Sequence, residues 1–255
     1  MHWPTLFFCP GCLLPSMMSL CDSCKRSIQP NSLPFDLERE GLETCYPVLI
    51  SAGTTRNLLR RWKEKRGNIL KSHLFRMDPA LQRSLFQLDV VAVVPIPQSP
   101  NRSERRGHAS SREVARFIAE RIDRPLVDLL DLQKDDPAHM TGKSRFERDH
   151  SPNPFRISEN FSAAHPLFQL MEERVFSGKD IPLLLVDDLI TSGATLARAA
   201  TVIHGFLPRA RIYPSGLGLR PPVRPERPEL PESEFPSDVP EVRSRSDQDR
   251  SDHFP

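Results

Sequence analysis

Apolar positions fall into two patterns along this chain, short unbroken runs and helical stripes. Leu183–Val186 and Val90–Val94 are unbroken and predict strands buried on both faces. Tyr46–Ser51 is a third, shorter strand candidate, and Arg211–Leu219 a fourth, weakened by Pro214 and two glycines. Between the runs, apolar residues recur at helical spacing. Leu58, Leu59 and Trp62 give one face of a helix over Arg56–Lys65. Leu81, Leu85 and Leu88 follow Asp78-Pro79, a cap with proline at the first helical position. Val114, Phe117, Ile118 and Ile122 follow Ser110-x-x-Glu113, which has the form of a capping box. Leu196, Ala199, Ala200 and Ile203 follow Leu183–Val186, and Gly205 is a plausible stop. Strand–loop–helix units at 90–122 and 183–205 predict an α/β domain with a mainly parallel sheet flanked by helices.

The loop of the later unit carries chemistry. Two carboxylates, Asp187 and Asp188, stand where the strand is expected to end. Thr191, Ser192, Gly193, Ala194 and Thr195 follow, small and mostly hydroxylated. A helix opening has amides without intrahelical partners and a dipole that favours anions. Small residues let a phosphate approach those amides. The carboxylates can accept hydrogen bonds from a vicinal diol or hold Mg²⁺ through water. A ribose 5-phosphate group satisfies both halves.

The order of four apolar residues, two acids, an apolar residue and a Thr/Ser-rich glycine loop, Leu183 to Thr195, resembles the signature of the type I phosphoribosyltransferases. The resemblance implies that the acids bind the ribose hydroxyls of phosphoribosyl pyrophosphate (PRPP) and the loop its 5-phosphate.

In the other unit, Val90–Val94 leads into Pro95-Ile-Pro97 and a basic loop with Arg102, Arg105, Arg106, Gly107 and His108. Ligands of parallel sheets bind at the carboxyl ends of strands, so the arginines are placed for a pyrophosphate.

Cys9-Pro-Gly-Cys12 and Cys21-Asp-Ser-Cys24 form two C-x2-C pairs. Each brackets a tight turn, and four thiolates suit tetrahedral Zn²⁺, so a structural zinc on Cys9, Cys12, Cys21 and Cys24 is expected. Cys45 has no such partner and reads as a buried thiol. Residues 28–44, with Pro30 and Pro34, read as a linker.

A cysteine finger, Val94-Pro-Ile-Pro97 with Arg105-Arg-Gly107, a segment with Glu147, Arg148, Asn153 and Phe155, and the acidic loop, in this order over residues 9–220, resemble the ComF family. That family is phosphoribosyltransferase-like and associated with bacterial competence and DNA uptake. His108-Ala109 stands where the family has Phe-Asn, Leu129–Ser144 lacks its usual Arg and Gln, and Ser158–Lys179 is extra, with Leu167, Leu170, Met171 and Val175 suggesting a helix from near Pro166. The resemblance implies binding of Mg²⁺–PRPP or a ribose-5-phosphate nucleotide. In an active enzyme, phosphoribosyl would pass to a nitrogen acceptor, with Arg105 and Arg106 neutralising the leaving charge. The residues name no general base. The alternative is a non-catalytic DNA-uptake or DNA-processing protein, touching single-stranded DNA through the zinc module and the basic face Arg60, Arg61 and Lys63.

Charge and composition change this picture little. The formal net charge is +2, but residues 221–255 carry net −4, leaving about +6 on the rest. That bias suits phosphate-bearing ligands of any size. From Pro221 the chain is Pro, Glu, Arg, Ser and Asp, too poor in apolar residues to offset chain entropy, so a disordered tail is expected. No run approaches the apolar length of a membrane span, and the first residues lack the form of a signal peptide; a cytoplasmic protein is expected. The expected division is a zinc-finger-like module and linker at 1–45, a phosphoribosyltransferase-like domain at 46–220 and the tail at 221–255.

Overall fold

From its amino end the chain forms a small antiparallel hairpin, β1 (Phe7–Phe8) with β2 (Pro15–Ser16), followed by the short helix α1 (Asp22–Arg26). Strand β3 (Tyr46–Ile50) comes next, then helices α2 (Gly53–Lys63), α3 (Gly67–Leu74) and α4 (Pro79–Gln87). After β4 (Ala92–Pro95) come α5 (Ser110–Ile122), β5 (Leu130–Leu132) and β6 (Phe155–Ile157). The remainder is α6 (Pro166–Phe176), β7 (Ile181–Ile190), α7 (Ala194–Phe206) and β8 (Ala210–Leu219). The computed structural model describes residues 7–16, 20–28, 30–64, 67–99, 110–133, 152–161 and 166–220. All fall within one compact unit, Met1–Pro222. Outside the described residues lie the expected arginine loop with Arg102, Arg105 and Arg106, the Glu147-Arg148 pair and the tail at 221–255.

The central sheet runs β3-β8-β7-β4, and every neighbouring pair is parallel. Helices cover both faces. α2 to α5 bring Leu58, Trp62, Leu74, Leu85 and Ile118 against Val48, Val93, Leu184 and Val186. On the opposite face α6 and α7 bring Met171, Leu196, Ala199 and Ile203 against Val94, Leu183, Leu185 and Ile212. The apolar runs are therefore unbroken because neither face of the sheet meets water. The α/β class expected from the sequence is what the chain forms.

Two expectations for the strand–loop–helix units change. β7 does not stop at the acids but continues through Asp187 and Asp188 to Ile190. The reason is β8, which pairs with it along its whole length, Asp187 opposite Gly216 and Leu189 opposite Gly218. The glycines that weaken β8 by propensity are what permit this pairing. A Cβ on Gly216 would lie 2.7 Å from the Asp187 carbonyl oxygen, and one on Gly218 would lie 2.6 Å from Leu59 Cδ1. Pro214 sits just ahead of the residues that pair with β3, where β8 has β7 alone beside it in the sheet.

The other change is at Ser110. Asp78 caps α4 as expected, its Oδ1 accepting from Ala80 N at 2.7 Å. Ser110, expected as a cap, is the first residue of α5 and sends its hydroxyl to Asp188 instead, at 2.5 Å. Of the apolar stripe expected on α6, Met171 is buried while Leu170 and Val175 are exposed.

Residues 30–45 run from the cysteine hairpin to β3 and are tied down. Asn31 N donates to Val48 O, and Phe35 pairs with Cys45. Phe35, Leu37 and Leu42 pack into the α7 side of the core.

Candidate ligand site and metal site

The four cysteines converge. Their Sγ atoms lie within 4.8 Å of one another, and those of Cys12 and Cys21 are 3.8 Å apart. That is about the edge of a tetrahedron built on ~2.3 Å zinc–sulfur bonds. Hairpin β1–β2 carries the first pair, and the start of α1 carries the second. Gly11 is required between them, because a Cβ there would lie 2.7 Å from Cys24 Sγ and 2.9 Å from Thr54 Cγ2. Burial opposes ionisation of Cys9, but the amides of Cys21, Cys12 and Gly11 and the Cys21 side chain outweigh it and draw the thiol down to about 6. Cys24 is pushed up by burial, by hydrogen bonds to Cys21, Cys12 and Cys9, and by the Cys9 charge. These four cysteines can hold a metal ion such as zinc, which would displace the remaining thiol protons. Cys45 is a buried thiol, as expected, and burial raises it to about 12.

The cysteine hairpin is seated on α2. Cys9, Leu20 and Cys24 belong to the same apolar cluster as Leu58 and Trp62, and Thr55 Oγ1 donates to Ser27 O at 3.4 Å. The buried stripe of α2, Thr55, Leu58, Leu59 and Trp62, thus belongs to a core shared by the sheet and the knuckle.

At the carboxyl end of β7, Thr191, Ser192 and Gly193 make the turn into α7. Gly193 has φ +73°, a left-handed conformation that glycine adopts without strain. The first bond of the helix ladder is Ala197 N to Gly193 O. The amides of Ala194, Thr195 and Leu196 therefore precede the helix's own acceptors. Asp187, Thr191, Gly193, Ala194 and Thr195 line one small cavity here, with Leu189, Ile190 and Leu196. Five of the seven residues expected to bind the ribose phosphate at this end of the sheet are brought together in this way. Ser192 is exposed beside them.

Asp188 is placed differently. Its side chain is 7% exposed, and Lys63 Nζ lies 2.6 Å from its Oδ1. Its Oδ2 accepts from Ser110 Oγ at 2.5 Å and from Gln98 Nε2 at 3.2 Å. Asp187 accepts through Oδ1 from Ser111 Oγ at 3.1 Å and from the Asp188 amide at 2.7 Å. Burial and the neighbouring Asp188 charge push Asp187 up to about 7, against the pull of Lys63, the Asp188 amide and Ser111. Of the two acids expected to share Mg²⁺ through water, Asp187 lines the cavity and Asp188 has both oxygens committed to protein donors.

Lys63 also leaves the outward basic face on which the sequence placed it. Arg56 and Arg60 are exposed, while Lys63 turns to the sheet. Asn153, from the segment ahead of β6, donates to Arg198 O on α7 at 2.7 Å, and Phe155 is buried.

One further contact reaches the loop from far away in sequence. Arg39 Nε donates to Ser192 O at 2.9 Å, and the Leu37 and Arg39 side chains pack on Gly193. The segment is pinned by His204 Nε2 at Gly41 O, 3.1 Å, and by the fork of Arg211 on Glu43. Sequence reasoning missed Arg39, Gln98 and Ser111 at this site and placed Lys63 and Ser110 in other roles. No local pattern marks them, because each meets the loop only after distant elements pack.

No family model matches the chain, and no curated protein matches it.

Proposed function

We propose that the chain is a ComF-like, phosphoribosyltransferase-type protein that binds a ribose 5-phosphate group at the carboxyl end of β7. The ligand is PRPP, carried with Mg²⁺ on its pyrophosphate, or a nucleotide with the same sugar phosphate. The observation that carries the reading is the convergence of an acid and a helix opening at one strand end. Asp187 and the helix-opening residues Thr191, Gly193, Ala194 and Thr195 bound one space at the end of an interior parallel strand, where such sheets bind ligands. Asp187 accepts hydrogen bonds from the sugar diol. The amides opening α7 and the hydroxyls of Thr191 and Thr195 take the phosphate. The reaction class that fits such a ligand is displacement of pyrophosphate from the anomeric carbon by a nitrogen nucleophile. Arg102, Arg105 and Arg106 are the groups proposed for the leaving charge.

Calorimetric titration of ribose 5-phosphate and PRPP at pH 8, where Asp187 is mostly ionised, tests this. The wild-type chain binds, and Asp187→Asn weakens binding by about tenfold or more, the loss of a charge-assisted hydrogen bond. Undiminished affinity in a folded Asp187→Asn variant overturns the assignment.

A further inference from the structure

Lys63 is the last residue of α2, 125 residues upstream of the acid it meets. Its side chain is 21% exposed, and its ammonium sits on Asp188 rather than in solvent with Arg60. A site that gathers two adjacent carboxylates and then a phosphate collects negative charge at close range. Such a site needs a compensating cation, which either arrives with the ligand as a metal or belongs to the protein. Here a protein cation is already in contact. The remaining oxygen of Asp188 is held by Ser110 and Gln98. A metal at this carboxylate would compete with Lys63 for Oδ1 and with Ser110 and Gln98 for Oδ2.

Resting on the ribose-phosphate reading above, we propose that Lys63 is the built-in cation of this site, standing at Asp188 where a divalent metal would otherwise be needed. Lys63 is a positioning residue. It keeps Asp188 out of the cavity and leaves Asp187 as the one acid presented to the sugar. It also offsets the field of the acid pair toward the incoming phosphate. The last turn of the helix on which the cysteine knuckle is seated thereby becomes part of the ligand site.

The test is calorimetric titration of ribose 5-phosphate into the full chain, in magnesium-free buffer and again in millimolar Mg²⁺. This probe has no pyrophosphate to bring the metal with it. Wild-type affinity is expected to differ by less than about twofold between the two buffers, and Lys63→Arg to keep that indifference. Lys63→Met is expected to bind about tenfold more weakly without Mg²⁺ and to recover most of the loss when it is added. A structural role alone would not create a new metal requirement. Wild-type binding that depends on Mg²⁺ overturns the proposal, as does Lys63→Met binding that matches wild type in magnesium-free buffer. Should Lys63→Met fail to fold, the magnesium response of the wild type and of Lys63→Arg decides. Failure of the wild type to bind in either buffer overturns the ribose-phosphate reading and this inference with it. Wild-type binding with an unaltered Lys63→Met overturns this inference alone.

Discussion

The cysteine knuckle and the end of β7 are built in opposite ways. All four candidate metal ligands lie between Cys9 and Cys24, so one short stretch of chain supplies every donor. At β7, Asp187 and the loop 191–195 are local, but what holds them is not. Lys63 comes from α2, Gln98 from the segment after β4, Ser110 and Ser111 from α5, and Arg39 from the segment before β3. A local site stands or falls as one unit, whereas an assembled site can lose supports singly. The difference predicts how each responds to damage.

The largest effect is expected at the knuckle. Cys21→Ser removes one of four thiolate ligands, and the three that remain hold zinc far more weakly. Structural zinc sites contribute ~10–16 kcal/mol of apparent binding free energy in isolated fingers. The wild type should bind one equivalent of zinc by elemental analysis. Cys21→Ser should bind none and should unfold at a lower temperature than the wild type. Because Cys9, Leu20 and Cys24 share a cluster with Trp62, the loss should spread to α2. Retained zinc in Cys21→Ser, or unchanged thermal unfolding, would break the contrast between the two regions.

The same contrast explains what could be read in advance. The strands over Val90–Val94 and Leu183–Val186 were legible because burial on both faces forbids polar interruptions. The cysteine cluster was legible because its spacing is itself the geometry. The carboxyl half of β7 was not, since two adjacent acids read as a strand end. Only Gly216 and Gly218 on β8 make room for the strand to continue. Lys63 reads as surface because it falls on the same helical face as Arg56 and Arg60. A helical wheel shows which residues share a face, not that a terminal lysine is long enough to turn toward a carboxylate on the sheet. Ser110 had the spacing of a cap, and nothing near it in sequence announced an acid 78 residues later.

A smaller effect is expected from the charge state of Asp187. Burial and the Asp188 charge raise its folded pKa from 3.8 to about 7. Between those values the folded chain holds a proton that the unfolded chain releases. Stability from this group is therefore fully present below the unfolded pKa and is lost as pH rises toward and through about 7. Asp187→Asn should flatten that slope and be more stable than the wild type at pH 8. Urea unfolding across pH 4 to 8 measures it. A parallel slope in both proteins would mean that Asp187 titrates normally and that the acid pair is open to water. The assembled site would then be looser than its hydrogen bonds imply.

The smallest effect should come from Arg39, and its size separates two ways the segment before β3 can serve the loop. Arg39 Nε holds Ser192 O at 2.9 Å, while Leu37 and Arg39 Cγ would stand 3.3 and 3.4 Å from a Cβ on Gly193. The segment keeps its other ties, at His204 and Arg211, in an Arg39→Ala variant. The expected loss is therefore one exposed hydrogen bond, about 0.5–1 kcal/mol of stability. Ribose 5-phosphate should bind about two- to threefold more weakly, because the loop must then be ordered by the ligand. Arg39→Lys should not restore it, since lysine carries a methylene where arginine has the Nε donor. A loss of more than about tenfold would mean that the guanidinium touches the phosphate itself. That outcome would make the segment before β3 a wall of the site, and the strand-end region would then be assembled from even more distant parts of the chain.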